Sequence, residues 1–362
     1  MKEQKIIQLT HKEHLKIHSD PQKAAKSIDL KYVNDTEPGI ERVKKGSGFS
    51  YLFKGKSIND GKEIDRIRKL VIPPAWTKVW ICPFANGHLQ ATGTDVMGRK
   101  QYKYHTRWHS LRNETKFHRL LEFGKVLPEI RLKVEKDICT KELTERKVLA
   151  TVLSLMEITS MRVGNENYEK LYGSYGLTTL KDSHVAINGT SLNFSFKGKK
   201  GIYHKISLRS KRLSKIVRTC RDIPGKELFQ YYDEEGNRKG IDSGSVNNYI
   251  REISEQDFTA KDFRTWAGSV ALLQCLASVG KANTPTESKK NVVTALDEVS
   301  RKLGNSRAIC KKYYVHPELM RLYEENKLDK HLDELEKLEE TDDHTGLTNN
   351  EKVLMKILKE IS

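Results

Sequence analysis

The chain has 362 residues, 37% of them hydrophobic, enough for two or three compact domains with buried cores; this excludes a disulfide-stapled miniprotein or a peptide. Lysine and arginine total 65 against 48 acidic residues, and the formal net charge of +17 attracts polyanions, which makes nucleic acid the favoured partner. Five scattered cysteines (Cys82, Cys139, Cys220, Cys275, Cys310) lack zinc-ligand spacing, and no apolar run approaches the ~20 residues of a membrane span, so a soluble cytoplasmic protein with reduced thiols is expected. Residues 1–40 offer a few helical turns with little continuous apolar periodicity and read as an arm. Between residues 48 and 105 the texture changes to short apolar or alternating runs between glycines (GFSYLFKGKSIND, KVWICPF, HLQATGTD), with IPPAW among them, as in a small mixed domain with several strands. That region runs into GRKQYKYHTRWHS, where Arg99, Lys100, Lys103 and Arg107 interleave with Tyr102, Tyr104, His105 and Trp108. Cations neutralise phosphates while planar side chains pack on sugars or bases, although the same pattern builds an ordinary amphipathic surface strand.

From about Phe117 onward helical periods dominate, as in TERKVLATVLSLMEITSMRV, where Val148, Val152, Leu155 and Met156 recur at helical spacing. HVAINGTSLNFSFKGKKGIYHKISL interrupts them with alternation broken by Asn-Gly, Gly198 and Gly201, the pattern of a small hairpin sheet. Helices follow at LSKIVRTC, SGSVNNYIREIS, FRTWAGSVALLQCLASVG and NVVTALDEVSRKL. Residues 318–343 carry eleven acidic and four basic residues, and LYEENKLDKHLDELEKLEE within them reads as an exposed helix with Leu328, Leu332, Leu335 and Leu338 along one side, before a closing amphipathic helix, EKVLMKILKEIS. The basic surface therefore lies upstream.

No GxxxxGK[ST] loop, HExxH or GxSxG motif is present, so neither ATP nor a dedicated metal site is expected. What remains is a set of cations, amides and tyrosines in the helical half. Cutting a phosphodiester without metal requires a nucleophile, donors for the equatorial phosphate oxygens and an acid for the leaving alkoxide.

The ordered stretches SMRVGNENYEKLYGSYGLTTL, FSFKGKK, FTAKDFRTWAG and VSRKLGNSRAICKKYYVHP resemble the catalytic domain of type IB DNA topoisomerases, especially the compact bacterial and poxviral branch. Upstream, IPPAWTKVWI and GHLQATGTDVMGRKQYKYHTRW resemble that branch's DNA-clamp domain. The resemblance implies an α+β fold of the DNA-breaking-rejoining type, with a small β-rich domain preceding a mainly helical catalytic domain that contains the hairpin sheet. The expected division is an arm at 1–47, the clamp domain at 48–110, the catalytic domain at 111–325 and an acidic helix and tail at 326–362. A monomer closing as a clamp around double-stranded DNA is expected, without cofactor or membrane, with Arg99, Lys100, Tyr102, Lys103, Tyr104 and Arg107 as DNA contacts.

Carried over residue by residue, the resemblance makes Tyr314, immediately before Val-His-Pro, the nucleophile that takes a 3′ phosphate, with Tyr313 as the adjacent competitor. Arg162 and Arg264 match the two arginines that grip the non-bridging oxygens, a role suited to a permanently charged, forked donor. Lys199 matches the hairpin lysine that protonates the leaving 5′ oxygen, with Lys197 and Lys200 as near alternatives. Asn305 stands where the poxviral form and the tyrosine recombinases carry histidine; an amide donates to phosphate but does not shuttle a proton at neutral pH. Lys261, three residues before Arg264, replaces the histidine of the recombinases and, with Tyr168, is expected to support the phosphate site. A tyrosine recombinase is the nearest alternative, disfavoured by Lys261, Asn305 and the N-terminal motifs; a noncatalytic DNA-binding protein of the same fold is the other.

Overall fold

Two residues, Gly46 and Ser47, reverse the chain between the first two strands of a six-stranded antiparallel sheet, and Gly46 takes the positive φ of +58° that so short a turn requires. The computed structural model describes residues 10–18, 20–337 and 345–362. It comprises two compact units that divide in sequence between Arg119 and Leu120.

The first unit contains α1 (His11–His18), α2 (Pro21–Lys26), β1 (Ile40–Lys45), β2 (Gly48–Phe53), β3 (Lys56–Ser57), α3 (Gly61–Lys69), β4 (Thr77–Ile81), β5 (Leu89–Thr94), β6 (Lys100–Tyr104) and the start of α4 (Thr106–Ile138). The sheet order is β3-β2-β1-β4-β5-β6. Its apolar face buries Ile40, Val79, Ile81 and Ala91 together with Ile67 of α3. The N-terminal segment does not stand apart from this unit. Ile17, Ala24, Ala25 and Ile28 pack with Trp108 and Leu111 of α4, while His14 stacks on His118 with ring centroids 4.1 Å apart. Two short helices that each bury only a few residues leave little periodicity to read in sequence, which is why the docking is invisible there.

The second unit is mainly helical. It continues α4 and adds α5 (Glu145–Thr159), α6 (Glu166–Tyr172), β7 (Val185–Asn188), β8 (Ser191–Lys197), β9 (Tyr203–Arg209), α7 (Lys211–Arg221), β10 (Gln230–Tyr232), β11 (Arg238–Gly240), α8 (Ser243–Ser254), α9 (Ala260–Val279), α10 (Pro285–Leu303), α11 (Arg307–Tyr313), α12 (Pro317–Glu324), α13 (Asp329–Lys337) and α14 (Asn349–Glu360). The fold class is thus α+β, as the sequence implied. One large core joins these helices to the inner face of the β7-β8-β9 sheet through residues such as Val152, Phe194, Leu272 and Leu296. Phe123 anchors its centre, with Phe258, Phe263 and Trp266 at centroid distances of 5.2, 4.9 and 5.8 Å.

The acidic stretch departs from expectation. It forms two helices, α12 and α13, separated by a turn with Asn326 at φ +55°, and Leu328 and Leu332 belong to the main core rather than to an exposed side. Leu335 packs against that core, and Leu338 lies outside the described residues. The closing helix α14 is also built in: Glu351 accepts two hydrogen bonds from Arg131 of α4, at 2.9 and 2.7 Å, and one from Trp266 Nε1 of α9 at 2.8 Å. Arg131 also bonds Glu157 of α5 at 2.8 Å. Burial alone would raise the Glu351 carboxyl, but Arg131 and Trp266 outweigh it and hold the group below its usual range. The four helices α4, α5, α9 and α14 are therefore tied together by one polar node.

Candidate active site

Arg264 sits on α9 and points into the second unit with 5% of its surface exposed. Its two terminal nitrogens donate to the carbonyls of Ser160 and, at 2.8 Å, Leu303. Both carbonyls are available because their helices end there. Ser160 terminates α5 in the left-handed conformation (φ +56°), and Gly304 terminates α10 with φ +57°. Arg162 follows the first of these ends and Asn305 the second. Arg162 Nη2 donates to Gly304 O at 3.1 Å and to Asn305 Oδ1 at 2.5 Å. Two helix ends and one helix face thus bring together three side chains that lie far apart in sequence.

Tyr314 completes the group at the end of α11, where its N–H donates to Cys310 O at 2.9 Å. Its ring centroid lies 5.1 Å from the Arg264 guanidinium carbon. Tyr313 points to a different neighbour, with Lys312 Nζ 5.3 Å from its ring centre. Gly268, one turn along α9 from Arg264, admits the Tyr314 backbone: a Cβ there would stand 2.3 Å from Tyr314 O. Ser269 then accepts the His316 N–H at 3.1 Å, fixing the segment beyond the tyrosine.

The electrostatics are those of a site awaiting an anion. Among the described residues neither guanidinium forms an ion pair with a carboxylate, and burial lowers the pKa of both. Arg162, further lowered by the charge of Arg264, is pushed down to about 10 and so remains protonated at neutral pH. Nε of Arg264 and Nδ2 of Asn305 are among the buried donors that, among the described residues, have no hydrogen-bond partner. Buried donors normally find acceptors, and unpaired buried charge is costly, so a tetrahedral oxyanion would satisfy both deficits at once.

Lys199 occupies the turn between β8 and β9, whose last pair is Lys197 with Tyr203. The turn closes through Gly198 N–H to Ile202 O at 2.7 Å, with Lys200 at φ +62° and Gly201 at +77°. Lys199 Nζ is 5.4 Å from the ring centre of Tyr168 on α6. Lys197 and Lys200 are exposed on the same turn, and the side chain of Lys261, also exposed, lies one turn before Arg264 on α9. Sequence reasoning missed Gly268, Gly304 and His204, which shape the contacts among these segments; none carries a local signal, because each matters only through a tertiary neighbour.

The six expected DNA contacts lie in the first unit. Lys100 and Tyr102 are exposed on β6, and the Tyr102 and Tyr104 rings stack with centroids 6.0 Å apart. Two cations are partly committed internally: Arg99 pairs with Asp95 at 2.7 Å and Lys100 with Asp35 at 2.6 Å. Arg107 donates to Ile28 O at 3.4 Å, and Lys103 is half-buried. Among the described residues no three His, Cys, Asp or Glu side chains gather in a metal-binding arrangement, and no helix is long and apolar enough to cross a membrane.

Residues 105–341 match the family described as "Eukaryotic DNA topoisomerase I, catalytic core", and residues 48–95 match "Bacterial DNA topoisomerase IB, N-terminal domain". The chain is similar to DNA topoisomerase 1B of Acanthamoeba polyphaga mimivirus, with 35% identity over 308 residues that cover 83% of this chain and 91% of that protein. It is also similar to DNA topoisomerase 1B of Vaccinia virus (strain Western Reserve), with 26% identity over 226 residues, 62% of this chain and 68% of the viral one.

Proposed function

Because this chain belongs to the DNA topoisomerase IB family, we propose that it relaxes duplex DNA as a monomer, with Tyr314 as nucleophile and the groups around it as the phosphate site. The observation that carries the reading is a buried arginine, Arg264, set against the Tyr314 ring beside the half-buried Arg162, neither with a carboxylate partner among the described residues. In the proposed step Tyr314 Oη gives up its proton to water and attacks the scissile phosphorus as the phenolate, the bond to O5′ breaks, and Lys199 supplies the proton that O5′ takes. Arg162, Arg264 and Nδ2 of Asn305 donate to the non-bridging oxygens as charge builds on them. Lys261 and Tyr168 support that site. The tyrosyl ester stays close in energy to the phosphodiester it replaces, because a phenolate with a pKa of about 10 is itself a serviceable leaving group. The freed 5′ end rotates about the intact strand, driven by torsion in the DNA, and its hydroxyl then attacks the phosphotyrosine and returns the proton to Lys199. No ATP is consumed. Arg99, Lys100, Lys103 and Arg107, with Tyr102 and Tyr104, add contacts to the duplex, and affinity falls steeply with salt because release of condensed counterions gains less as bulk salt rises.

The test is relaxation of positively and negatively supercoiled plasmid in EDTA without ATP, across a salt series. Relaxation of both signs is expected; a protein that relaxes neither, or only one, contradicts the reading.

A second prediction concerns the fit at Gly268. Alanine suits the helical backbone there and favours it by roughly 1 kcal/mol, so the clash falls on Tyr314 O rather than on α9. Gly268→Ala is expected to slow covalent capture of DNA about 100-fold, the cost of a reacting group displaced by ~1 Å, and to cost about 1 to 3 kcal/mol of stability because the neighbour that must give is backbone, with DNA affinity retained. Capture at the parental rate in a gel assay would show that the contact does not position the tyrosine.

A further inference from the structure

The imidazole of His204 joins two parts of the site that are distant in sequence. It lies opposite Phe196 in the β8-β9 pairing and stacks on that ring at 5.1 Å. On one side it abuts Gly198, the residue before Lys199, so closely that a Cβ there would stand 2.5 Å from Nε2. On the other it abuts Gly304, the residue before Asn305, where a Cβ would stand 2.3 Å from Cε1. Two glycines therefore form a socket for one ring. Gly304 has a further part, since its carbonyl accepts from Arg162 Nη2. Among the described residues no hydrogen bond holds the imidazole, so packing fixes it. Burial, and then the charges of Arg162 and Arg264, lower its pKa from the usual value, so the ring is neutral near pH 7 and adds no third positive charge to the site.

We propose that His204 is a positioning residue that sets the Lys199 turn against the loop of Arg162 and Asn305, so that the proton donor and the phosphate grips address the same phosphodiester. The proposal rests on the cleavage reading above, with Lys199 as the acid. In that step Tyr314 Oη gives its proton to water and bonds to phosphorus, the P–O5′ bond breaks and O5′ takes the lysine proton. A bridging sulfur at the 5′ position leaves instead as a thiolate, whose conjugate acid has a pKa of about 8.5, far below that of an alcohol, so its departure needs no proton. A variant whose fault is a misplaced Lys199 recovers on the sulfur substrate. One with a damaged phosphate grip or a damaged fold does not.

Single-turnover cleavage of oxygen-bridged and sulfur-bridged duplexes by the parent, Lys199→Ala, His204→Ala, His204→Asn and His204→Phe separates these cases. His204→Ala is expected to cut the oxygen substrate about 10 to 100 times more slowly than the parent and the sulfur substrate within a few-fold of it. His204→Asn, a smaller truncation, carries the same test where alanine melts early, and His204→Phe, which keeps a ring in the socket, retains most of the oxygen rate. Parental oxygen cleavage by His204→Ala or His204→Asn, or an equal loss on both substrates, overturns the proposal. So does a His204→Phe rate as low as that of alanine. If Lys199→Ala recovers on sulfur and His204→Ala does not, this proposal alone fails. If Lys199→Ala does not recover, the assignment of the acid fails and this proposal with it, whereas a parent that forms no adduct overturns the function itself.

Discussion

Tyr314→Phe is expected to abolish relaxation and covalent capture together, lowering the cleavage rate by about 10⁶-fold, the scale seen when a covalent nucleophile is deleted. Tyr313→Phe is expected to keep at least half the parental rate. The contrast follows from where the two rings point: the Tyr314 ring faces Arg264 at 5.1 Å, while the Tyr313 ring has Lys312 beside it. The Tyr314 backbone is also held, by its hydrogen bond to Cys310 O and by the close approach to Gly268, so the phenol is delivered from a fixed anchor. Removing one hydroxyl leaves every cation in place, and duplex affinity at a given salt should be unchanged. A gel-shift titration beside a relaxation assay reads both. Loss of activity in Tyr313→Phe with retention in Tyr314→Phe would exchange the assignment.

Arg264→Ala carries the next largest effect, a loss in single-turnover cleavage on the order of 10³-fold or more, since one donor at a developing oxyanion is worth 10²–10³ and a guanidinium supplies charge as well. Its effect on stability should be small, because two opposing changes accompany it. The carbonyls of Ser160 and Leu303 lose their donor, at roughly 1 to 3 kcal/mol each when buried. In return a buried charge without a carboxylate partner disappears. Arg264→Lys is expected to remain severely impaired, because one ammonium does not reproduce a fork that binds two carbonyls while leaving Nε for the substrate. Cleavage by Arg264→Ala within tenfold of the parent, in a protein that melts like the parent, would remove this residue from the phosphate site.

The parts of the fold that sequence made legible are those governed by local chemistry. The hairpin carrying Lys199 is announced by Asn-Gly at its first turn and by alternation along both strands, and α10 by the helical spacing of NVVTALDEVSRKL, although the helix already begins at Pro285. Other elements were missed for physical reasons. The strands β10 and β11 have three residues each, too few to show a period. Helix α4 begins at Thr106, inside the basic aromatic run whose alternation reads as strand, and β6 ends only two residues earlier. The acidic leucine stretch looks solvent-facing by charge, yet Leu328 and Leu332 are pulled into the core by packing that no local pattern encodes.

The site divides in the same way. Arg162, Lys199, Arg264, Asn305 and Tyr314 were named from motifs, whereas the reasons for their placement are tertiary: the left-handed turn at Ser160, the glycine that admits the Tyr314 backbone, and the ring of His204 between two glycines. The last two are contacts between segments remote in sequence, silent until both segments are seen together.

The central claim is tested most directly by trapping the protein on a DNA duplex whose 5′ leaving strand diffuses away after cleavage, digesting the adduct, and sequencing the modified peptide by mass spectrometry. The prediction is one phosphodeoxynucleotide linked through its 3′ phosphate to the hydroxyl of Tyr314. A 5′ linkage, attachment to Tyr313 or another residue, or no adduct from a protein that binds the duplex tightly would contradict it.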